Sequence, residues 1–598
     1  MEPRTLCEIF YRSVDTLGKP NHIMVKRGGQ WRDVSSDEVR RTVEELSAGL
    51  AALGVQKGDR VAILSENRPE WAYGDMATLC ATGIVVTIYP SLSSPQVLYI
   101  LKDSGAKAVF VSNAAQAAKI EAIRAQAPDL SHVVLMDEGD VGGTIGLKAV
   151  CEQGRRVLEK DPGAVRRRAA ERTEGDVATI IYTSGTTGEP KGVMLTHGNL
   201  VSNVIAGAKV FPDFAPSDVS LSFLPLCHVF QRMGGYYLML YAGVTIAYAE
   251  SVEKVPENML EVRPTIMFSV PRLYEKIYAR IQDKVASDPP LRQKIFHWAM
   301  SVGRRRFQCF VERKEPGALL KLEHTVAEAL VFGKIKARTG GRLRLFVSGG
   351  APLAREIAEF FGSVGLLILE GYGLTETSPV ICVNRPERMK PGTVGPRVDG
   401  VEAKIADDGE ILTRGPHVMK GYYNKPEATA EAIDADGWFH TGDIGVFDSE
   451  GFLVITDRKK DLLVTSGGKK VAPQPIENRI KADPLVSEIV MVGNKRNFPA
   501  ALVVPAFVAL ERWAGEKGVT FSSHEQLIAD PRVVKLYKDL IDGYSADLAQ
   551  FEKIKKIALL ATEFSMESGE LTPTLKVKRR VVEDKHKDLI DRLYGGAD

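Results

Sequence analysis

The sequence predicts an α/β fold with a large N-terminal domain and a small C-terminal one, and three observations lead there. Through the first half of the chain, short and continuously apolar strands alternate with helices, the pattern of a parallel sheet covered on both faces. From Gly392 the texture changes to short strands separated by glycine turns, which reads as β-rich and barrel-like. A charged knot, Asp457-Arg458-Lys459-Lys460-Asp461, then leads into a compact α/β tail, so we set the boundary at Lys460, between residues 1–459 and 460–598.

The elements follow in order. Ser35 and Glu38 form a capping box, and Val39, Val43, Leu46, Leu50 and Leu53 continue at helical spacing until Gly54. A strand at Val61 to Leu64, a helix beginning near Pro69, a strand at Ile84 to Ile88, a helix from Pro95 to Lys102 and a strand at Ala108 to Val111 complete the first unit. The basic stretch Arg166 to Glu174 reads as a surface connection. The pattern restarts with Val177 to Tyr182 and continues with strands at Val219, Val244, Thr265 and Leu343. Ala81 to Ser91 faintly echoes Tyr241 to Ser251, as two related α/β subdomains would, although chance explains it nearly as well. Between Lys276 and Arg338 the chain reads as helical and rich in Lys and Arg, with no role legible from its periodicity. The last strands expected are Val401 to Ile405, Gly409 to Leu412 and Gly451 to Ile455.

Composition narrows the function classes. With 44% hydrophobic and 26% charged residues, the chain of 598 residues is neither disordered nor fibrous. Its 78 Lys and Arg against 76 Asp and Glu leave +2, which gives no general attraction to nucleic acid. Six widely spaced cysteines without a C-x-x-C pair argue against a disulfide scaffold or structural zinc and favour a reducing, cytoplasmic compartment. The uncharged stretch Met233 to Ala249 is interrupted by glycines, so a buried helix and strand explain it better than a membrane span of roughly 20 apolar residues.

Chemistry concentrates in a few segments. Thr183-Ser184-Gly185-Thr186-Thr187-Gly188-Glu189-Pro190-Lys191-Gly192 follows an apolar strand with hydroxyls, glycines and a lysine, the makings of a phosphate cradle. It is not the P-loop pattern, since Pro190 stands where a glycine must precede the lysine. Ser348-Gly349-Gly350-Ala351-Pro352 places bare backbone at a strand's carboxyl end, where α/β folds bind ligands. Glu370-Gly371-Tyr372-Gly373-Leu374-Thr375-Glu376-Thr377 offers an aromatic ring, a hydroxyl and a carboxylate. Glu376 occupies the place of a third glycine, which removes a dinucleotide fingerprint.

Those segments, with Thr441-Gly442-Asp443, Asp457 to Asp461 and Pro573-Thr574-Leu575-Lys576, stand in the order found in adenylate-forming enzymes, which the chain resembles along nearly its whole length. The run Asp436 to Gly445 is similar to the signature of fatty acyl-CoA synthetases, and Lys294-Ile295-Phe296-His297-Trp298-Ala299 resembles an insertion of the long-chain group. The resemblance implies a mobile C-terminal domain and a two-step reaction. In it ATP and a long-chain fatty acid give acyl-AMP, and CoA then takes the acyl group. A ligase delivering to a separate carrier protein would share these motifs.

By the same resemblance, Thr183, Ser184, Gly185, Thr186, Thr187 and Lys191 hold the pyrophosphate end of ATP. Tyr372 lies against adenine in a pocket shaped by Gly350, Ala351, Glu370, Gly371 and Gly373. Thr375 reaches the α-phosphate, and Glu376 with Thr183 holds Mg²⁺. Asp443 takes the ribose hydroxyls with Arg458 beside it, although a plain turn aspartate after glycine is the alternative for Asp443. Lys576 closes over the site for adenylation, Lys460 is the hinge, and His228 lies beside the fatty acid carboxylate, with a structural core histidine as the alternative. Lys578, Arg579 and Arg580 read as a solvated basic face. Val464 departs from the pattern, since many relatives carry a lysine there. Contact with a membrane surface stays open because a fatty acid partitions into bilayers.

Overall fold

Two eight-stranded sheets dominate the N-terminal part of the computed structural model, which describes residues 2–183, 189–565, 568–572 and 577–595. One runs Gly421–Tyr422, Lys191–Thr196, Val177–Thr183, Ile84–Ile88, Arg60–Leu64, Ala106–Val111, His132–Leu135, Ile145–Gly146. It is parallel from Val177–Thr183 onward, and only its first two pairings are antiparallel. The other runs Val380–Val383, Leu367–Gly373, Leu345–Ser348, Ile266–Ser269, Val219–Ser222, Thr245–Tyr248, Ile23–Arg27, Gln30–Val34, antiparallel only at its two edges. The two echoing segments supply one strand to each sheet, Ile84–Ile88 and Thr245–Tyr248.

Local sequence explains where the elements begin. The Ser35 hydroxyl accepts from the Glu38 amide while the Glu38 carboxylate accepts from the Ser35 amide, so the helix Ser36–Ala52 starts at its capping box. Continuous apolar runs become strands buried on both faces, as in Arg60–Leu64 and Ile266–Ser269. The glycine-rich stretch forms a four-stranded antiparallel sheet of Glu402–Ile405, Glu410–Arg414, Phe439–Phe447 and Leu453–Arg458. Register shifts between Glu410 and Leu412 and between Ile444 and Gly445 bend it, as bulges do.

Beyond it lie a short hairpin, Leu463–Val464 with Lys470–Val471, and a three-stranded sheet of Val486–Val492, Ala500–Pro505 and Lys556–Leu559. The largest cluster of buried apolar residues ends at Leu453, and two separate clusters begin at Leu463 and Val490. Arg272 to Glu488 at 3.2 Å and Arg512 to Asp283 at 2.8 Å bridge the two parts.

Two stretches differ from the sequence reading. Arg166 to Glu174 is not a plain surface connection: it overlaps the helix Ala164–Ala170, which buries Val165 and Ala169. Arg172 is also buried and donates to the Gly83 carbonyl at 2.8 Å. Two apolar residues among so many arginines are too few to register as periodicity. The chain before Ser35 carries a helix, Leu6–Tyr11, capped by Thr5, and a hairpin turned by Gly28 and Gly29 at positive φ. That helix buries Leu6, Cys7, Ile9 and Phe10 but is too short for a periodic signal. Met233 to Ala249 is interior, and no helix among the described residues is long and apolar enough to cross a membrane.

Candidate active site

The site grows from the carboxyl ends of two parallel strands. Leu345–Ser348 and Leu367–Gly373 pair with Ser348 opposite Glu370, so the chain after Ser348 leaves the sheet beside Gly371 and Tyr372. There Gly350 adopts φ +82° and, with Ala351, presents exposed backbone. Behind this turn a Cβ added to Gly349 would meet the Phe230 ring at 3.1 Å, which brings the His228 segment against the same turn. Gly373 admits no side chain, because a Cβ would lie 1.7 Å from the Pro379 carbonyl oxygen.

Tyr372 is buried, and its hydroxyl donates to Asp443 Oδ2 at 2.7 Å. Asp443 sits opposite Arg458 in the antiparallel pair Phe439–Phe447 and Leu453–Arg458, with Arg458 Nε at 3.3 Å from Asp443 Oδ1. The turn before Asp443 is fixed from two sides. The Thr441 hydroxyl donates to the Ile411 carbonyl at 2.7 Å, and the Gly442 amide donates to Glu410 Oε1 at 2.8 Å, with Gly442 at φ +72°. The largely buried Glu410 also accepts from Lys459 Nζ at 2.9 Å, and its carboxyl lies below the usual range as the Lys459, Gly442 and His440 contacts outweigh burial. Glu410 is a positioning residue that sequence reasoning missed, since Gly409 to Leu412 reads only as a strand after a turn.

Glu376 follows in the turn Thr375–Thr377, directly after the strand Leu367–Gly373 that carries Tyr372. Its carboxylate accepts from the Tyr422 hydroxyl at 2.9 Å, and burial holds its carboxyl above the ordinary range against the pull of Tyr422 and Arg458. Asp443 and Arg458 both act on this carboxyl, which places all three in one electrostatic neighbourhood. Lys191 Nζ stands 4.9 Å from the centre of the Tyr422 ring, and Lys191 pairs with Thr183 across Val177–Thr183 and Lys191–Thr196. Tyr422 is the second residue that the sequence reading passed over, because nothing marks it beyond a Gly-Tyr-Tyr run.

Glu370 is buried and accepts from the backbone amides of Leu353 and Gly392; burial pushes its carboxyl up to about 8. What it presents toward the rim is therefore main chain. His228 is partly exposed, and its Nδ1 accepts from the Phe230 amide at 3.2 Å. A neutral imidazole so held carries its proton on Nε2. One turn on, Arg232 is fully buried and donates to Asp75, to the Tyr237 hydroxyl at 2.8 Å and to the Thr179 hydroxyl at 2.7 Å. Thr179 belongs to the strand that ends at Thr183, so this network ties the His228 segment to the base of the candidate phosphate loop.

Contacts thus join Thr183, Lys191, Tyr422, Glu376, Asp443, Arg458 and Tyr372 in one chain, with Thr375 next to Glu376 in sequence and Gly350 and Ala351 just beyond the strand that pairs with Leu367–Gly373. Ser184, Gly185, Thr186, Thr187 and Lys576 lie outside the described residues. Lys460 is exposed in the turn that closes from the Asp461 amide to the Arg458 carbonyl at 2.9 Å. Across that turn Asp457 accepts from the Gln474 amide at 3.4 Å, and burial pushes its carboxyl up to about 6. The solvated basic face expected at Lys578, Arg579 and Arg580 is corrected at its middle residue. Arg579 turns inward, donating to both Glu477 oxygens at 2.9 Å and to the Met491 carbonyl, because Glu477 is buried there and requires a cation.

Comparison with known proteins identifies the family and the fold. The profile described as AMP-binding enzyme matches residues 14–423, and that of the AMP-binding enzyme C-terminal domain matches residues 460–598. The long-chain-fatty-acid–CoA ligase FadD15 of Mycobacterium tuberculosis is 36% identical over 96% of this chain and 95% of its own length. The peroxisomal long chain acyl-CoA synthetase 7 of Arabidopsis thaliana is 33% identical over 99% of this chain and 86% of its own. Among solved structures, ATP-bound MatB from Rhodopseudomonas palustris aligns with a TM-score of 0.68 at 26% identity, covering 98% of this chain and 99% of that one. The anthranilate CoA ligase AuaEII, at 21% identity with 98% of each chain covered and a TM-score of 0.74, has the same fold.

Proposed function

The chain belongs to the AMP-binding enzyme family, and on that basis we propose that it activates a long-chain fatty acid with ATP and transfers the acyl group to CoA. A carboxylate does not acylate a thiol directly, because its oxygen is a poor leaving group. Attack of that carboxylate on the α-phosphorus of ATP expels pyrophosphate and leaves acyl-AMP. The CoA thiol then attacks the acyl carbon and AMP departs with the bridging oxygen. Such chemistry asks for positioning and charge neutralisation more than for a protein nucleophile. The observation that carries the reading is the linked set Tyr372–Asp443–Arg458 beside Glu376–Tyr422 and Lys191, a flat ring, a paired carboxylate and a cation, with Tyr372 at the carboxyl end of a parallel strand.

In this reading Tyr372 lines the adenine pocket with Gly350, Ala351 and the backbone of Glu370 to Gly373. Asp443, oriented by Tyr372 and Arg458, accepts from the ribose hydroxyls, and Thr375 reaches the α-phosphate. Thr183 to Thr187 and Lys191 hold the pyrophosphate end, His228 orients the fatty acid carboxylate, and Lys576 neutralises charge during adenylation. The residues fit a magnesium ion that arrives with the nucleotide. Glu376 is a single half-buried carboxylate, and among the described residues no three His, Cys, Asp or Glu side chains gather into a metal cage. Magnesium would be held by Glu376 and a loop hydroxyl such as Thr183, where it would neutralise phosphate charge.

Glu376→Gln keeps the shape and the Tyr422 contact but removes the charge. Its Mg²⁺ requirement should rise by about tenfold or more, with slower adenylation and an unchanged melting temperature. A normal Mg²⁺ titration would take Glu376 out of the metal site. The function itself is tested by incubating the protein with ATP, Mg²⁺, palmitate and either CoA or a carrier protein. Palmitoyl-CoA with stoichiometric AMP is expected, and acylation of the carrier alone would replace this reading with that of a carrier-directed ligase.

A further inference from the structure

The interior of the N-terminal part holds an ion pair that neither step of the reaction uses. The side chains of Arg232 and Asp75 are 1% and 0% exposed, and Arg232 Nη2 donates to Asp75 Oδ1. Withdrawing two charges from water costs about as much as their attraction returns, and apolar residues of similar volume often serve a core as well. A guanidinium stays charged even there. What it offers in place of stability is direction, because its planar fork holds several acceptors at fixed angles.

Those acceptors lie on three elements. Asp75 is on the helix Pro69–Cys80, Thr179 on the strand Val177–Thr183, and Tyr237 at the end of the π-helix Gln231–Tyr237 on which Arg232 itself stands. Arg232 Nη1 donates to Thr179 Oγ1 at 2.7 Å and Nε to the Tyr237 hydroxyl at 2.8 Å. The Tyr237 hydroxyl donates in turn to Asp75 Oδ2 at 2.7 Å, and the Thr179 hydroxyl to the Val85 carbonyl at 2.7 Å. Five residues separate Arg232 from Tyr237, the hydrogen-bonded spacing of a π-helix and one more than that of an α-helix. The wide turn thus lets both side chains converge on Asp75.

Two parts of the active site hang on this cluster from opposite sides. The Arg232 amide donates to the His228 carbonyl at 3.1 Å, so His228 stands one turn before the guanidinium. Thr179 lies on the strand that ends at Thr183, where the candidate phosphate loop begins. The two come from different sheets. Val177–Thr183 neighbours Ile84–Ile88 in one, whereas the His228 segment connects Val219–Ser222 with Thr245–Tyr248 in the other. A further tie runs the same way, from the Thr87 hydroxyl on Ile84–Ile88 to the Cys227 carbonyl at 3.1 Å.

We propose that Arg232, oriented by Asp75 and Tyr237, is a positioning residue for adenylation. It sets the spacing between the segment that carries His228 and the strand that leads into the phosphate loop. The proposal rests on the functional reading above, in which His228 orients the fatty acid carboxylate and the loop holds the pyrophosphate end of ATP. Carboxylate oxygen and α-phosphorus must then meet at a near-attack distance of roughly 3–3.5 Å, and the two sheets that hold them are brought into register by one rigid fork. The second step does not need this alignment, because the thiol attacks the acyl carbon of an adenylate already formed.

The test replaces the whole cluster. Arg232→Met, Asp75→Leu and Tyr237→Phe together leave no buried charge unpaired, so the melting temperature should stay close to that of the wild type. Palmitate-dependent pyrophosphate exchange should fall about 10²-fold in kcat, the scale of an ångström of misplacement, while KM for ATP and for palmitate changes by less than about threefold. Supplied with ready-made palmitoyl-AMP and CoA, the variant should release thioester at close to the wild-type rate. Arg232→Lys keeps a cation opposite Asp75 without the fork, and should show the same split at about tenfold. It decides the matter should the triple variant fold poorly.

Unchanged exchange in these variants would overturn the proposal. Parallel losses in the two half-reactions, the mark of a merely structural role, would do so as well, as would a rise in KM alone. A wild-type protein that shows no palmitate-dependent exchange would count against the functional reading and take the proposal with it, whereas an active wild type beside unaffected variants counts against the proposal alone.

Discussion

Lys576→Ala is expected to lower acyl-AMP formation by about 10²–10³-fold, the usual scale for removing one group that stabilises charge in a transition state. The effect should be confined to that half of the reaction. Supplied with ready-made acyl-AMP and CoA, the variant should form acyl-CoA at close to the wild-type rate. Arg579, three residues further along the chain, does not substitute for the missing ammonium: it is held by Glu477 and Met491, and turning it outward would leave the buried Glu477 unpaired. Pyrophosphate exchange and thioester release measured on one preparation separate the halves. Equal losses in both would withdraw the role assigned to Lys576.

Lys460→Pro should invert that pattern. One site serves two steps, with a lysine over the phosphates in the first and a path for a bulky thiol ligand in the second. The proposed solution is rotation of residues 460–598 about Lys460, and a hinge must change its φ and ψ. Lys460 is the third residue of the turn closed between Arg458 and Asp461, and proline there fixes its own φ and restricts Lys459. Acyl-AMP formation should remain substantial while thioester formation falls by at least about tenfold more, with both folded parts intact since no core cluster of the described residues spans the turn. Parallel changes in the two rates would remove Lys460 from the hinge.

How much of this was legible in the sequence follows from the range of each signal. Continuous apolar runs such as Val177 to Tyr182 report burial on both faces directly, and a capping box such as Ser35 with Glu38 is complete within four residues, so both could be read. The segment around Tyr372 was legible as chemistry and the roles of Asp443 and Arg458 only through the family resemblance, but not that Tyr372 and Asp443 would share a hydrogen bond across 71 positions of chain. Glu410 and Tyr422 were missed for the same reason. Each acts through a partner that is distant in sequence, Gly442 and Glu376 respectively, and neither carries a local mark. Arg579 misled because a basic run reads as solvated, and only the fold shows the buried Glu477 that draws one of its members inward.

The measurement that tests the central claim most directly follows the carboxylate oxygens. With palmitate carrying heavy oxygen at both carboxylate positions, ATP and CoA, the account predicts one labelled oxygen in AMP and the other retained in the thioester carbonyl. Unlabelled AMP, or label recovered in inorganic phosphate or pyrophosphate, would contradict it, because the acyl group would then not have passed through an adenylate.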